Sequence, residues 1–97
     1  MTEVIWTEPA LIELRAAVAY IAKDSPSAAQ RVRDKIQSTA DDLTLFPNRG
    51  RPGAVENTRE LVVAHTFYVI AYRIIGEVVW VVYLFHSAQD YPADALH

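Results

Sequence analysis

The chain contains no cysteine. That removes disulfide frameworks, thiolate zinc sites and cysteine nucleophiles together, and it agrees with a cytosolic protein. It also lacks an uncharged apolar run of the roughly 18 residues that read as a transmembrane helix, because Arg73 and Glu77 interrupt its longest apolar region. No signal-peptide pattern is present either, so the expectation is a soluble, cytoplasmic protein. Positive charge is scarce. Nine Lys and Arg face twelve Asp and Glu for a net charge of −3, and no lysine follows Lys35. A protein that grips nucleic acid through many phosphates carries the opposite balance, so direct DNA binding is not expected. Glycine is limited to Gly50, Gly53 and Gly76, and the first two lack the following helix and Lys-Ser/Thr pair that a phosphate-cradling loop requires. No cofactor and no metal site is expected.

What the chain does have is a long apolar second half. Its 97 residues suit one domain over 1–97 that buries about two thirds of the surface its unfolded form exposes. From Thr58 to Pro92 the sequence reads TRELVVAHTFYVIAYRIIGEVVWVVYLFHSAQDYP, mostly β-branched, aromatic or apolar through its first twenty-nine residues. Breaks near Ala64-His65-Thr66 and at Gly76 divide it into three strands, an antiparallel meander. Upstream, Glu3 to Trp6 suits an edge strand that joins the same sheet. Thr7 is placed to cap a helix with Glu8 and Pro9 in its first turn, and Leu11, Leu14, Val18 and Ile21 form its apolar stripe. Ser25-Pro26 repeats the cap and first-turn pattern. A second stripe of Ala29, Val32, Ile36, Ala40 and Leu43 leads to an end near Phe46-Pro47. The short link between the two makes an antiparallel hairpin. Residues 47–57, PNRGRPGAVEN, are a loop by composition. The fold class is therefore α+β, an N-terminal strand followed by an antiparallel helix hairpin packed on one face of a mainly antiparallel four-stranded sheet.

Strict alternation places Tyr68, Ile70, Tyr72 and Ile74 on one face of the third strand of the chain, and Phe67, Val69, Ala71 and Arg73 on the other. The last strand divides into Val78, Trp80, Val82 and Leu84 against Val79, Val81, Tyr83 and Phe85. Both faces are largely apolar, yet one helix hairpin can cover only one of them. The surplus implies a protein partner or self-association over the second face; the alternative is that the loop and the C-terminal tail fold back over it. Arg49, Arg51, Arg59 and Arg73 form a locally cationic stretch that includes only Glu56 and Glu60 as acids. His86 ends the last strand, with Asp90 and Tyr91 just beyond it.

This order of elements resembles the RelE/ParE family of bacterial toxins from type II toxin–antitoxin modules, the ParE-like branch above all. The likeness is carried by Trp6 and Ala10-Leu11, by Tyr20-Ile21-Ala22 followed by Ser25-Pro26-Ser27-Ala28-Ala29, and by Phe46-Pro47 with Gly50-Arg51. It continues through Arg59-Glu60-Leu61-Val62, Tyr68-Val69-Ile70 with Tyr72-Arg73, and His86 before Asp90-Tyr91-Pro92. The resemblance implies a toxin neutralised by a small cognate antitoxin that wraps the sheet and the helix hairpin, with Leu14, Val18, Ile21, Phe67, Val69, Tyr83 and Phe85 as expected contacts. DNA would then be met only through the antitoxin. ParE-like members are described as poisoning DNA gyrase by binding, which makes growth inhibition the expected outcome and enzymatic activity unnecessary. RelE-like members instead cut mRNA on the ribosome, where a 2′-hydroxyl attacks its adjacent phosphate; in that case His86 and Tyr91 would move protons and Arg59 and Arg73 would meet the developing charge. The low Lys and Arg content favours the gyrase branch. Gln89 stands where many ParE-like sequences carry arginine.

Overall fold

A computed structural model describes residues 2–87 of the chain. Strand β1 (Glu3–Trp6) leads into helix α1 (Glu8–Ala22) and helix α2 (Pro26–Asp41), which a short 3-10 turn (Asp42–Thr44) extends. Strands β2 (Arg51–Pro52), β3 (Arg59–Val62), β4 (Tyr68–Ile75) and β5 (Val78–His86) follow. The sheet order is β1-β5-β4-β3-β2, with β1 parallel to β5 and every other pair antiparallel. The expected four strands are all present, and a two-residue strand from the loop adds a fifth at the edge. Gln89, Asp90, Tyr91 and Pro92 lie outside the described residues.

The helix starts show two different uses of a hydroxyl. Ser25 accepts a hydrogen bond from the Ala28 amide at 3.2 Å, satisfying one of the free donors at the start of α2, and Pro26 occupies the first turn, where its missing N–H costs nothing. Thr7 occupies the N-cap position of α1 but does not cap it. Its hydroxyl donates instead to the Val81 carbonyl at 2.9 Å, and its amide donates to the same carbonyl at 3.0 Å. The expected cap is thus a clamp that fixes the start of α1 against β5. The second helix ends at Asp41, short of the expected Phe46-Pro47, because the chain tightens into the 3-10 turn that buries Leu43.

One hydrophobic core lies between the hairpin and the sheet. Ala10, Leu14, Ile36, Ala40 and Leu43 come from the helical layer, and Ile70, Tyr72, Val79, Val81 and Leu84 come from β4 and β5. Leu84 was expected on the other face. A β-bulge moves it: Ala71 pairs with Tyr83, whereas the next residue, Tyr72, pairs with Val81, so Val82 is the extra residue and the alternation reverses beyond it. Gly76, with φ of +62°, opens the two-residue turn between β4 and β5, as a type II′ loop requires.

The second face is less open than its composition implies. Val69, Ala71 and Phe85 form a small buried cluster, with Val82 and Tyr83 packed against it. Beside them the buried Glu60 accepts a hydrogen bond from the Ala54 amide at 2.8 Å and from Arg51 at 3.3 Å, which holds the 51–58 segment along this side of the sheet. Exposed apolar side chains therefore sit at the margins, at Val62, Phe67 and Ile75.

Tyr72 joins the loop to the sheet. It has no exposed surface, and its hydroxyl donates to the Pro47 carbonyl at 2.7 Å and accepts from the Gly50 amide at 2.8 Å. A Cβ at Gly50 would stand 2.8 Å from the Tyr72 ring and 2.9 Å from the Glu60 carbonyl oxygen, so only glycine fits. Tyr72→Phe leaves both loop groups unpaired and should lower stability by about 1–3 kcal/mol, read as a shift of the urea midpoint. Gly50→Ala should destabilise through steric overlap; a midpoint equal to wild type would refute the close approach.

Candidate functional site

The cationic end of the sheet is built by β3 and β4. Arg59, the first residue of β3, pairs with Tyr72 and donates to the Gly50 carbonyl at 2.7 Å and the Asn48 carbonyl at 3.3 Å. It is therefore occupied in part by bracing the loop that Tyr72 anchors. Arg73 follows on β4, and the two arginines line one groove together with Asn48, Pro52, Asn57 and Ile75. Two guanidinium groups beside amide side chains suit an anion such as a phosphate. Among the described residues no His, Asp or Glu lines this groove.

His86 lies elsewhere. It pairs with Tyr68 across β4 and β5, stacks on Phe67 with ring centroids 5.4 Å apart, and meets the edge of Tyr68, also at 5.4 Å. With Glu13, Ala17 and Tyr20 of α1 it lines a second groove between the helix and the end of the sheet. Tyr68 and Tyr72, the partners of His86 and Arg59, are four residues apart on β4, about 13 Å at about 3.3 Å per residue. The expected convergence of Arg59, Arg73 and His86 does not occur. The reason is register: β3 runs antiparallel along the first half of β4, so its last residue, Val62, lies toward the His86 end and its first, Arg59, lies opposite Tyr72, away from it. Tyr91 lies outside the described residues. Among those described, no group of three His, Cys, Asp or Glu side chains is placed to hold a metal ion.

Three tyrosines have pKa values pushed above the usual value for a phenol. Burial raises Tyr68, with Tyr20 adding to it, and burial raises Tyr83, with the Glu13 carboxylate adding. For Tyr72, burial outweighs the opposing pull of the Gly50 amide and the Arg59 guanidinium.

The expected antitoxin contacts divide by burial. Leu14, at 5% exposure, belongs to the core, and Val18 packs against that core. Val69 and Phe85 are enclosed in the second cluster, with Tyr83 against it. Leu14, Val69 and Phe85 are thus withdrawn from the surface, Leu14 into the core between hairpin and sheet and the other two into the cluster on the second face. Ile21 is half-buried, and Phe67 is 70% exposed. Ile12 and Tyr20, which fell outside the predicted stripe, are 51% and 70% exposed on α1. Their signal was their place off the buried stripe of the helix.

The family model described as "ParE toxin of type II toxin-antitoxin system, parDE" matches residues 4–91. The chain belongs to the ParE toxin family. The Y4kP protein of Sinorhizobium fredii is 44% identical over 87 residues, covering 90% of each chain. Toxin RelE2 of Caulobacter vibrioides is 42% identical over 89 residues, covering 92% of this chain and 99% of its own. A chain of the chromosomal ParDE toxin–antitoxin system of P. aeruginosa shares the fold, with a TM-score of 0.78 at 21% identity over 89% of this chain and 96% of that one. This ParE-family protein is therefore a toxin of a type II toxin–antitoxin system, and its partner is an antitoxin. Among its described residues no helix is long and apolar enough to cross a membrane.

The raised tyrosines give a pH signature. Unfolded tyrosine titrates near pH 10, and a higher folded value means that the folded state holds its proton longer. The contribution is complete below about pH 10 and declines as pH rises through the folded values. Stability should thus fall as pH rises past about 10 in urea titrations, and less steeply in Tyr72→Phe than in wild type. Equal slopes in the two proteins would contradict the assignment to Tyr72.

Proposed function

We propose that this toxin arrests growth by binding DNA gyrase, and that it does so without catalysing a reaction of its own. The observation that supports this most is the distance between Arg59 and Arg73 at one end of the sheet and His86 at the other. Cleavage of RNA by its own 2′-hydroxyl needs a proton acceptor, a proton donor and cations around one phosphate. Among the described residues those parts do not surround one point. The net charge of −3 supports the same reading, since a ribosomal RNA surface attracts basic proteins. Neutralisation then follows from an antitoxin that covers the exposed side chains of α1 and the Phe67 margin.

The ribonuclease reading has one structural observation in its favour, the groove shared by Arg59 and Arg73 with Asn48 and Asn57, which has the chemistry to hold a phosphate. A relative also carries the name toxin RelE2. Under that reading Arg73→Ala or His86→Ala removes cleavage of mRNA in a ribosome-containing extract.

Purified toxin, freed from its antitoxin and refolded, tests the gyrase proposal directly. Supercoiling by gyrase should fall as toxin is added, or cleaved DNA should accumulate, and antitoxin should reverse the effect. Unchanged supercoiling at a molar excess of folded toxin would overturn it.

A further inference from the structure

Away from the two grooves described above, three basic side chains meet at one hollow. Arg31 and Lys35 stand four residues apart on α2, and His65 joins them from the turn between β3 and β4; with Val32, Ala64 and Thr66 they line a space of about 260 Å³. Among the described residues no acid lines it. The ion pairs among those residues are Arg49–Asp42 and Arg51–Glu60, and Asp34, beside Lys35 in the chain, accepts a hydrogen bond from Gln30 at 2.9 Å. Like charges four residues apart on a helix repel, a cost that an anion between them would remove. In a chain of net charge −3 the cluster is a local reversal of sign.

The turn that supplies His65 is strained. The amide and the hydroxyl of Thr66 both donate to the Val63 carbonyl, at 3.1 and 2.8 Å, and the Tyr68 amide donates to the Thr66 hydroxyl at 3.1 Å. Inside that frame His65 has φ of +63°, a left-handed conformation that glycine adopts at less cost. Histidine is an unfavourable residue for the turn, but it brings a ring N–H donor to the hollow.

We infer that this hollow is a phosphate site, and that the phosphate is a backbone phosphodiester of the DNA that gyrase holds while the toxin is bound. The source of the phosphate rests on the gyrase reading; the site itself does not. A guanidinium, an ammonium and an imidazole offer donors from three sides, which suits the spread oxygens of a phosphate. The space is smaller than the roughly 300–1,000 Å³ of a pocket that encloses a whole small molecule, so it takes a charged group and leaves the rest of the ligand outside. Arg31, Lys35 and His65 are all exposed, within reach of a large neighbour. One such contact cannot hold DNA alone, because affinity for nucleic acid accumulates over many phosphates. It acts where another protein already holds the duplex against the toxin.

Two measurements on the whole refolded toxin test the inference, with folding of each variant checked by circular dichroism and melting temperature. In the first, the ring-proton signals of His65, identified by their loss in His65→Gln, are followed by NMR as inorganic phosphate replaces chloride at constant ionic strength and pH. Wild type should show a saturable shift that Arg31→Gln/Lys35→Gln loses. No saturable shift in wild type, or the same shift in the double variant, would overturn the site. In the second, supercoiling by gyrase is titrated with wild type, the double variant and Arg33→Gln. The double variant should need about tenfold more toxin for half-inhibition, and Arg33→Gln the same amount as wild type. Affinity of the double variant for gyrase without DNA, and for the antitoxin, should match wild type. Equal half-inhibition by the double variant would overturn the DNA assignment and leave a site for free phosphate. An equal loss of affinity for gyrase alone or for the antitoxin would overturn it too, marking the hollow as a contact for protein carboxylates. If wild type leaves gyrase unaffected while His65 still responds to phosphate, the gyrase reading and the DNA source fall and the phosphate site stands.

Discussion

The buried hydroxyl of Tyr72 ties the loop after the helices to the middle of the sheet. A phenol in an apolar core must find partners or lose the full cost of desolvation, about 1–3 kcal/mol. Tyr72 finds them in the Pro47 carbonyl and the Gly50 amide, so the loop after the helices is drawn onto the sheet. Arg59 then closes over the same loop through the Asn48 and Gly50 carbonyls. The loop in turn delivers Arg51, which pairs with Glu60, and the Ala54 amide, which Glu60 accepts. One side chain in the middle of β4 thereby fixes the cationic groove, the two-residue edge strand and the closure of the second face.

The same strand sets the distance between the two groups of candidate residues. Tyr72 pairs with Arg59, and Tyr68 pairs with His86. Because strands are stiff over this length, neither pair can approach the other without breaking the sheet. The bulge at Val82 adds a second constraint, turning Leu84 into the core and leaving Tyr83 and Phe85 to form the second cluster. Surface chemistry is thus divided between a cationic groove toward one end and an aromatic groove with Glu13 and His86 at the other.

Much of the architecture was legible in the residues. Ser25-Pro26 marked the start of α2, Gly76 marked the last turn, and the apolar stripes marked the helix faces, because each depends on local chemistry that a short stretch carries by itself. What was not legible depends on partners far along the chain. Thr7 reads as a cap until the Val81 carbonyl is beside it, and Leu84 changes face through a bulge that no alternation displays. The site was harder still. Arg59, Arg73 and His86 have suitable types, but their register is decided by where short β3 meets long β4, which composition does not state. Leu14, Val69 and Phe85 look available until the second cluster and the core enclose them, whereas Ile12 and Tyr20 show their exposure only once α1 is docked.

The proposed function makes this ParE-family toxin a binding protein whose surfaces, and not a reacting centre, carry its effect. Expression of the toxin in a bacterial host, with plasmid supercoiling and mRNA integrity followed side by side in the same cells, tests that view most directly. The account predicts that plasmids lose supercoiling or accumulate breaks while transcripts remain whole. Cleaved transcripts with supercoiling unchanged would contradict it.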